Sequence, residues 1–127
     1  MLFTLHRDEQ LQKMAPVFES QGVSVTYLRY VRTDRIDGEN VDVFDPEDGF
    51  SIVALTGQRR KYSTNSTGQV QVETLPRTFI FRVTELPTGI EMRDLTLNDK
   101  VVYLGKTCDL KDLRFADPFV HVTIEGS

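Results

Sequence analysis

The strongest constraint on this chain is a change of hydrophobic period after Gly22. Beyond it, short apolar stretches alternate with polar neighbours, and turn-forming residues separate them. "VSVTYLRYV", residues 23 to 31, is rich in β-branched and aromatic residues, with Val23, Val25 and Tyr27 on one face. "ENVDVFD", 39 to 45, alternates Val41 and Val43 with polar residues. "FSIVALT", 50 to 56, is a more continuous apolar run, as expected of a strand covered on both faces. "GQVQVET", 68 to 74, alternates again, and "RTFIFRVTEL", 77 to 86, aligns Phe79, Phe81 and Val83. "DKVVYL" and "KTCDL" flank a turn at Gly105, and "FVHVTIEG", 119 to 126, sets Val120, Val122 and Ile124 against Phe119, His121 and Thr123.

Strands this short and this frequent predict a mainly β fold, a small antiparallel β-barrel or sandwich, with a short N-terminal helix. The helical segment falls at residues 8–21, "DEQLQKMAPVFESQ", where Leu11, Met14 and Phe18 share a face. Asp8 suits its N-cap and Gly22 its stop, and Pro16 is expected to kink it or split it in two. The chain of 127 residues reads as one domain, 1–127, with a β-rich core over 23–127. Two connections are expected to be irregular: a long polar, mobile loop at 56–68 and a second at 87–99.

Composition narrows the function classes. The net charge of -4 argues against a free-standing nucleic-acid binder, whose footprint is usually basic. One cysteine makes neither an intrachain disulfide nor a Cys-rich zinc site. No apolar run approaches the roughly 18 residues of a membrane span. "MLFTLHRDEQ" lacks the basic start of a signal peptide, so synthesis in the cytoplasm is the expectation and the Asn65-Ser66-Thr67 sequon is idle.

Catalytic candidates are few. Cys108 beside Asp109 is the one arrangement that suggests a reactive pair, but the neighbouring carboxylate would raise the thiol pKa, and no histidine is at hand as base. A buried packing thiol is the better reading. His6 and His121 lie at opposite ends of the chain without ligand spacing. Asp34, Asp37, Glu39, Asp42, Asp45, Glu47 and Asp48 form an acidic run that fits no EF-hand frame, and "DPEDG" reads as a turn. No phosphate-binding glycine loop or nucleophile elbow is present, so neither enzyme activity nor a cofactor nor a metal is expected. The basic run Arg59, Arg60, Lys61, Tyr62 is either a solvated hairpin tip or a contact surface for phosphate or an acidic partner.

Taken in order, these features resemble a family of tailed-phage and prophage proteins, the head–tail adaptor, stopper or head-completion proteins. A short helical piece runs into "VSVTYLR", similar to the family's V-T-Y-x-R strand. "RTFIFRVTEL" resembles its Arg-Asp-apolar-apolar-Ile strand, "LTLNDKVVYLGKTCDL" its G-D-x-I hairpin, and "LRFADPFVHVTIEGS" its closing S-D-P-Y strand. Asn98 stands where a glycine is usual, Cys108 where a tyrosine is common, and Phe115 and Phe119 where tryptophan and tyrosine are usual. The 56–68 segment is long for the family. The resemblance implies a virion structural protein, made in the host bacterial cytoplasm, that joins portal or adaptor protein to tail protein. It implies assembly as a ring homo-oligomer that helps seal the DNA channel, with DNA contact possible there. It leaves adaptor, stopper and tail-terminator roles open. The expected contact residues are Arg59, Arg60, Lys61 and Tyr62 in one loop and Asp45, Glu47 and Asp48 in another. A small β-barrel module that grips nucleic acid or a protein partner is the rival reading, and an enzyme without a visible motif the third.

Overall fold

The computed structural model describes residues 2–125, with side chains from Arg7. The chain forms helix α1 (Leu2–Gln21) and strands β1 (Val23–Leu28), β2 (Tyr30–Ile36), β3 (Glu39–Phe44), β4 (Phe50–Thr64) and β5 (Val70–Arg82). Two 3-10 turns follow, Val83–Glu85 and Met92–Asp94, and then β6 (Lys100–Tyr103), β7 (Lys106–Ala116) and β8 (Phe119–Ile124). Six strands close an antiparallel barrel in the order β1-β4-β5-β8-β7-β6, while β2 and β3 form a separate two-stranded ribbon. Of the two architectures open to the sequence, the barrel is the one that forms.

The period-two alternation becomes the inside and outside of this barrel. Val25, Tyr27, Ile52, Ala54, Phe79, Phe81, Val101, Cys108, Val120, Val122 and Ile124 are buried in one cluster. One row across the sheet runs Val23, Ala54, Phe81 and Val120 in register, so the smallest side chain stands opposite the phenylalanine. Tyr27 stacks on Phe50 at 5.4 Å between ring centres and meets Phe81 edge-on at 5.9 Å. Each such fully buried side chain contributes about 1.5–3 kcal/mol. The other face of β4 is also covered near Val53. The C-terminal end of α1 lies close enough that a Cβ on Gly22 would stand 2.5 Å from Val53 Cγ1 and 2.3 Å from the Phe18 carbonyl oxygen.

Helix α1 docks through the predicted face. Phe18 is 1% exposed, stacks on Phe119 at 6.2 Å and carries the Arg82 guanidinium over its ring at 4.5 Å. The helix differs from expectation in two ways. It begins at Leu2, so Asp8 lies within it and is not its N-cap. It also continues through Pro16. Proline removes a hydrogen bond to the carbonyl four residues earlier. That carbonyl belongs to Gln12, and both residues are exposed, on the face away from the Phe18 contact.

A larger correction concerns residues 56–68. Most of this segment is strand. β4 continues to Thr64 and pairs with β5 from Arg60↔Thr74 through Tyr62↔Val72 to Thr64↔Val70. The connecting turn is only 65–69, tied by the Asn65 side chain, whose Oδ1 accepts from the Thr67 and Gln69 backbone N–H groups at 3.1 and 2.9 Å. The result is a two-stranded arm that runs past the barrel wall. Residues 87–99 have no strand and hold one 3-10 turn.

Candidate functional site

The arm leaves the barrel at one end of β4, and the β2–β3 ribbon leaves at the other. β1 ends at Leu28 and passes into the ribbon at Tyr30, and Phe50, the start of β4, lies opposite Tyr27 at that same end. β4 then runs the other way past Val23 and into the arm. From Phe50 to Lys61 the strand covers about 35 Å at 3.2–3.4 Å per residue.

The roots of both hairpins are fixed by polar contacts. At the ribbon, Asp99 is 1% exposed and gathers three short hydrogen bonds, with the Thr96 hydroxyl a fourth and longer donor to Oδ1 at 3.5 Å. The Tyr27 hydroxyl donates to Oδ2 at 2.5 Å, the Thr96 backbone N–H to the same oxygen at 2.8 Å, and the Tyr30 backbone N–H to Oδ1 at 2.8 Å. One carboxylate thus joins the end of β1, the start of the ribbon and the 87–99 connection. Burial pushes the Asp99 carboxyl above its ordinary value, and the hydrogen bonds offset only part of this. Burial also raises the Tyr27 hydroxyl, reinforced by the Asp99 charge, so tyrosine is the donor in this pair. At the arm, Arg77 donates from Nη1 to Thr56 Oγ1 at 3.0 Å and from Nη2 to Gln58 Oε1 at 3.4 Å, and lies over the Tyr103 ring at 5.2 Å.

Beyond these roots both hairpins carry apolar side chains that remain exposed among the described residues. On the arm, Tyr62, Val70 and Val72 are 65%, 67% and 54% exposed. The register sets them on one face with Arg60, Thr64 and Thr74, and Lys61 and Glu73 oppose each other on the other face. On the ribbon, Ile36 and Val41 are 52% and 41% exposed and share a face with Arg32, Asp34, Glu39 and Val43. The ribbon turn, Asp37-Gly38, has positive φ at both residues, the conformation of a tight two-residue hairpin turn. A second such turn, Leu104-Gly105, leaves Leu104 86% exposed at φ +52°.

The predicted contact residues divide between these two regions and do not form one site. Arg59, Arg60, Lys61 and Tyr62 are exposed strand residues of the arm, with Arg59 at a register irregularity. Asp45, Glu47 and Asp48 occupy the turn between β3 and β4, at the ribbon end. Asp45 is engaged there, since Arg29 reaches its carboxylate at 3.3 Å and its carbonyl at 3.1 Å. Sequence reasoning missed Val70, Val72, Ile36 and Val41 as surface features and Asp99 as a root. The alternation of Val70 and Val72 was visible; the side left open was not.

The remaining candidates fall in the barrel wall. Cys108 is buried and faces inward, whereas Asp109 is exposed and pairs with Lys100, so the two are not a reactive pair. His121 sits on the outer wall between Ile80 and Arg114, and its pKa is lowered by partial burial and by the Arg114 charge. The His6 side chain lies outside the described residues. Leu55, Ile80, His121 and Thr123 line an open groove of about 880 Å³ on this wall. Among the described residues no group of three or more His, Cys, Asp or Glu stands together as a metal site, and no helix is long and apolar enough to cross a membrane.

No protein-family model matches the chain, and no curated protein matches it. Among solved structures it is similar to the phage-like element PBSX protein xkdH from Bacillus subtilis, with a TM-score of 0.38 and 11% identity over 82% of this chain and 94% of that one.

Proposed function

We propose that this protein is a structural component of a tailed-phage or prophage head–tail connector that acts by assembly and not by catalysis. One observation carries the reading. A barrel that closes its own strand edges extends two hairpins, and both end in exposed apolar faces. Free sheet edges and open apolar faces are liabilities in a solitary protein. Here the barrel removes its edges and the hairpins keep their open faces. The order of sequence features adds the phage setting, with portal or adaptor protein on one side, tail protein on the other, and a ring of copies between. The test is co-expression with the portal and tail proteins of the same phage, followed by co-purification and electron microscopy. Removing the gene should leave DNA-filled heads without tails. Normal tailed particles after its removal, with no complex formed with either protein, would refute the reading.

The three adjacent cations favour one second reading, a grip on single-stranded nucleic acid. It predicts salt-dependent binding that is lost when Arg59, Arg60 and Lys61 are replaced by alanine. The register weighs against it, because Arg60 and Lys61 point to opposite faces of the arm and make no single basic stripe.

A further inference from the structure

We infer that the exposed face of the β4–β5 arm docks on the exposed face of the β2–β3 ribbon of a second copy of this chain. The two faces match in chemistry. The arm offers Tyr62, Val70 and Val72 with Arg60 among them, and the ribbon offers Ile36 and Val41 with Glu39, while Asp34 on the same face is paired with Arg32 at 3.1 Å. The hairpins also match in overall sign. The arm carries Arg59, Arg60 and Lys61 against the single acid Glu73, and the ribbon carries Asp34, Asp37, Glu39 and Asp42 against Arg32 and Arg35. Apolar residues at the centre with opposite charges beside them are the anatomy of a specific interface.

The topology makes the contact intermolecular. The ribbon end of β4 at Phe50 and the arm root at Gln58 lie about 26 Å apart along one strand, and the arm runs on from there away from its own ribbon. A contact between different surfaces of identical chains is heterologous. It leaves one arm and one ribbon free in every dimer, so it closes into a ring or grows as a filament. The arm has reason to need a partner, since an isolated two-stranded hairpin is marginal in water. Covering Tyr62, Val70 and Val72 would give it a second layer.

This inference names the partner of the surfaces on which the assembly reading rests, and it fails separately from that reading. The full chain is studied by analytical ultracentrifugation over a concentration series at low and high salt. An arm variant, Arg60→Glu with Tyr62→Ser, and a ribbon variant, Ile36→Ser with Val41→Ser, alter exposed residues only, and circular dichroism checks that both fold. Wild type should self-associate, less so at high salt, and each variant should raise the dissociation constant roughly tenfold or more. Mixing the variants should then give a one-to-one heterodimer that does not grow, because the pair retains one intact arm and one intact ribbon. Three results would overturn the inference: a wild type that stays monomeric at its highest soluble concentration, variants that associate like wild type, or a mixture that stays monomeric. An arm variant that loses binding to DNA but not to itself would assign the arm to nucleic acid instead. None of these outcomes bears on whether the chain binds portal or tail protein, which the co-purification tests separately.

Discussion

Replacing Asp99 isolates the contact that roots the ribbon. In Asp99→Ala, the Tyr27 hydroxyl loses its acceptor in a buried place and the Tyr30 and Thr96 N–H groups lose theirs in a part-buried one. Each stranded donor costs about 1–3 kcal/mol, and relief from burying a carboxylate returns part of the sum. A net loss of about 3–5 kcal/mol is expected, a large share of the roughly 5–15 kcal/mol that holds a domain folded. Asp99→Asn should cost less, about 2–3 kcal/mol. Its one oxygen can keep Tyr27 and Thr96 by taking the Oδ2 position, but its NH2 then faces the Tyr30 N–H, donor against donor. Urea unfolding followed by circular dichroism measures both. Adding Tyr27→Phe to Asp99→Ala should cost little more, since the hydroxyl is already stranded. If Asp99→Ala unfolds within about 1 kcal/mol of wild type, the three donors find other partners and the carboxylate is not the root.

The same pair of proteins tests the sign of the Asp99 titration. Burial raises its folded-state pKa above the ordinary 3.8. The folded state therefore holds this proton more tightly than the unfolded chain does. Stability from this group is fully present below pH 3.8 and is lost as pH rises through the raised value. Asparagine has no such titration, and all other groups cancel in the difference. The deficit of Asp99→Asn relative to wild type should thus be largest near pH 4 and shrink toward pH 7. A deficit that grows with pH would mean that the hydrogen bonds outweigh the burial and that the direction is wrong.

Three further substitutions or reactions test the frame. Leu104 occupies the left-handed region at φ +52° with its side chain exposed, so Leu104→Asn should stabilise the fold by about 0.5–1 kcal/mol in the same urea assay, and a loss would refute the strain. Gly22→Ala sets a Cβ 2.3 Å from the Phe18 carbonyl oxygen, so it should cost about 1–3 kcal/mol and make α1 the first segment released by limited proteolysis. Cys108 is 5% exposed and faces the core, so iodoacetamide should label it only as fast as the barrel opens, with the rate rising in urea; rapid labelling of the native protein would mean that the thiol is accessible.

The parts of the fold legible in the sequence are those where burial leaves a period. Val25 and Tyr27, Phe79 and Phe81, and Val120, Val122 and Ile124 alternate because one side of each strand is dry. Leu11, Met14 and Phe18 mark α1 for the same reason, at helical spacing. The arm carries no such mark on its first strand. Both faces of "RRKYST" are wet, so the composition is that of a loop and the pairing to Val70–Thr74 is invisible without the partner strand. Asp99 was hidden differently. It read as a polar residue ahead of an apolar run, and its partners Tyr27 and Tyr30 lie 72 and 69 residues away in the chain. Spacing arguments reach a few residues, whereas a root of this kind is set by the closure of the whole barrel.

That closure also separates stability from interaction in this molecule. The core lies inside the closed barrel, and the two hairpins add no residue to it beyond their roots. Substitutions at the hairpin faces can therefore change association while leaving the barrel folded. The roots behave otherwise. Asp99 fixes where the ribbon starts, and Arg77, held by Thr56, Gln58 and the Tyr103 ring, fixes where the arm starts. A change at either root alters the angle at which a hairpin is presented without touching the surface itself. Loss of assembly therefore has two physical origins in this fold, a spoiled face or a misdirected hairpin. Stability tells them apart, since only the second loosens the barrel.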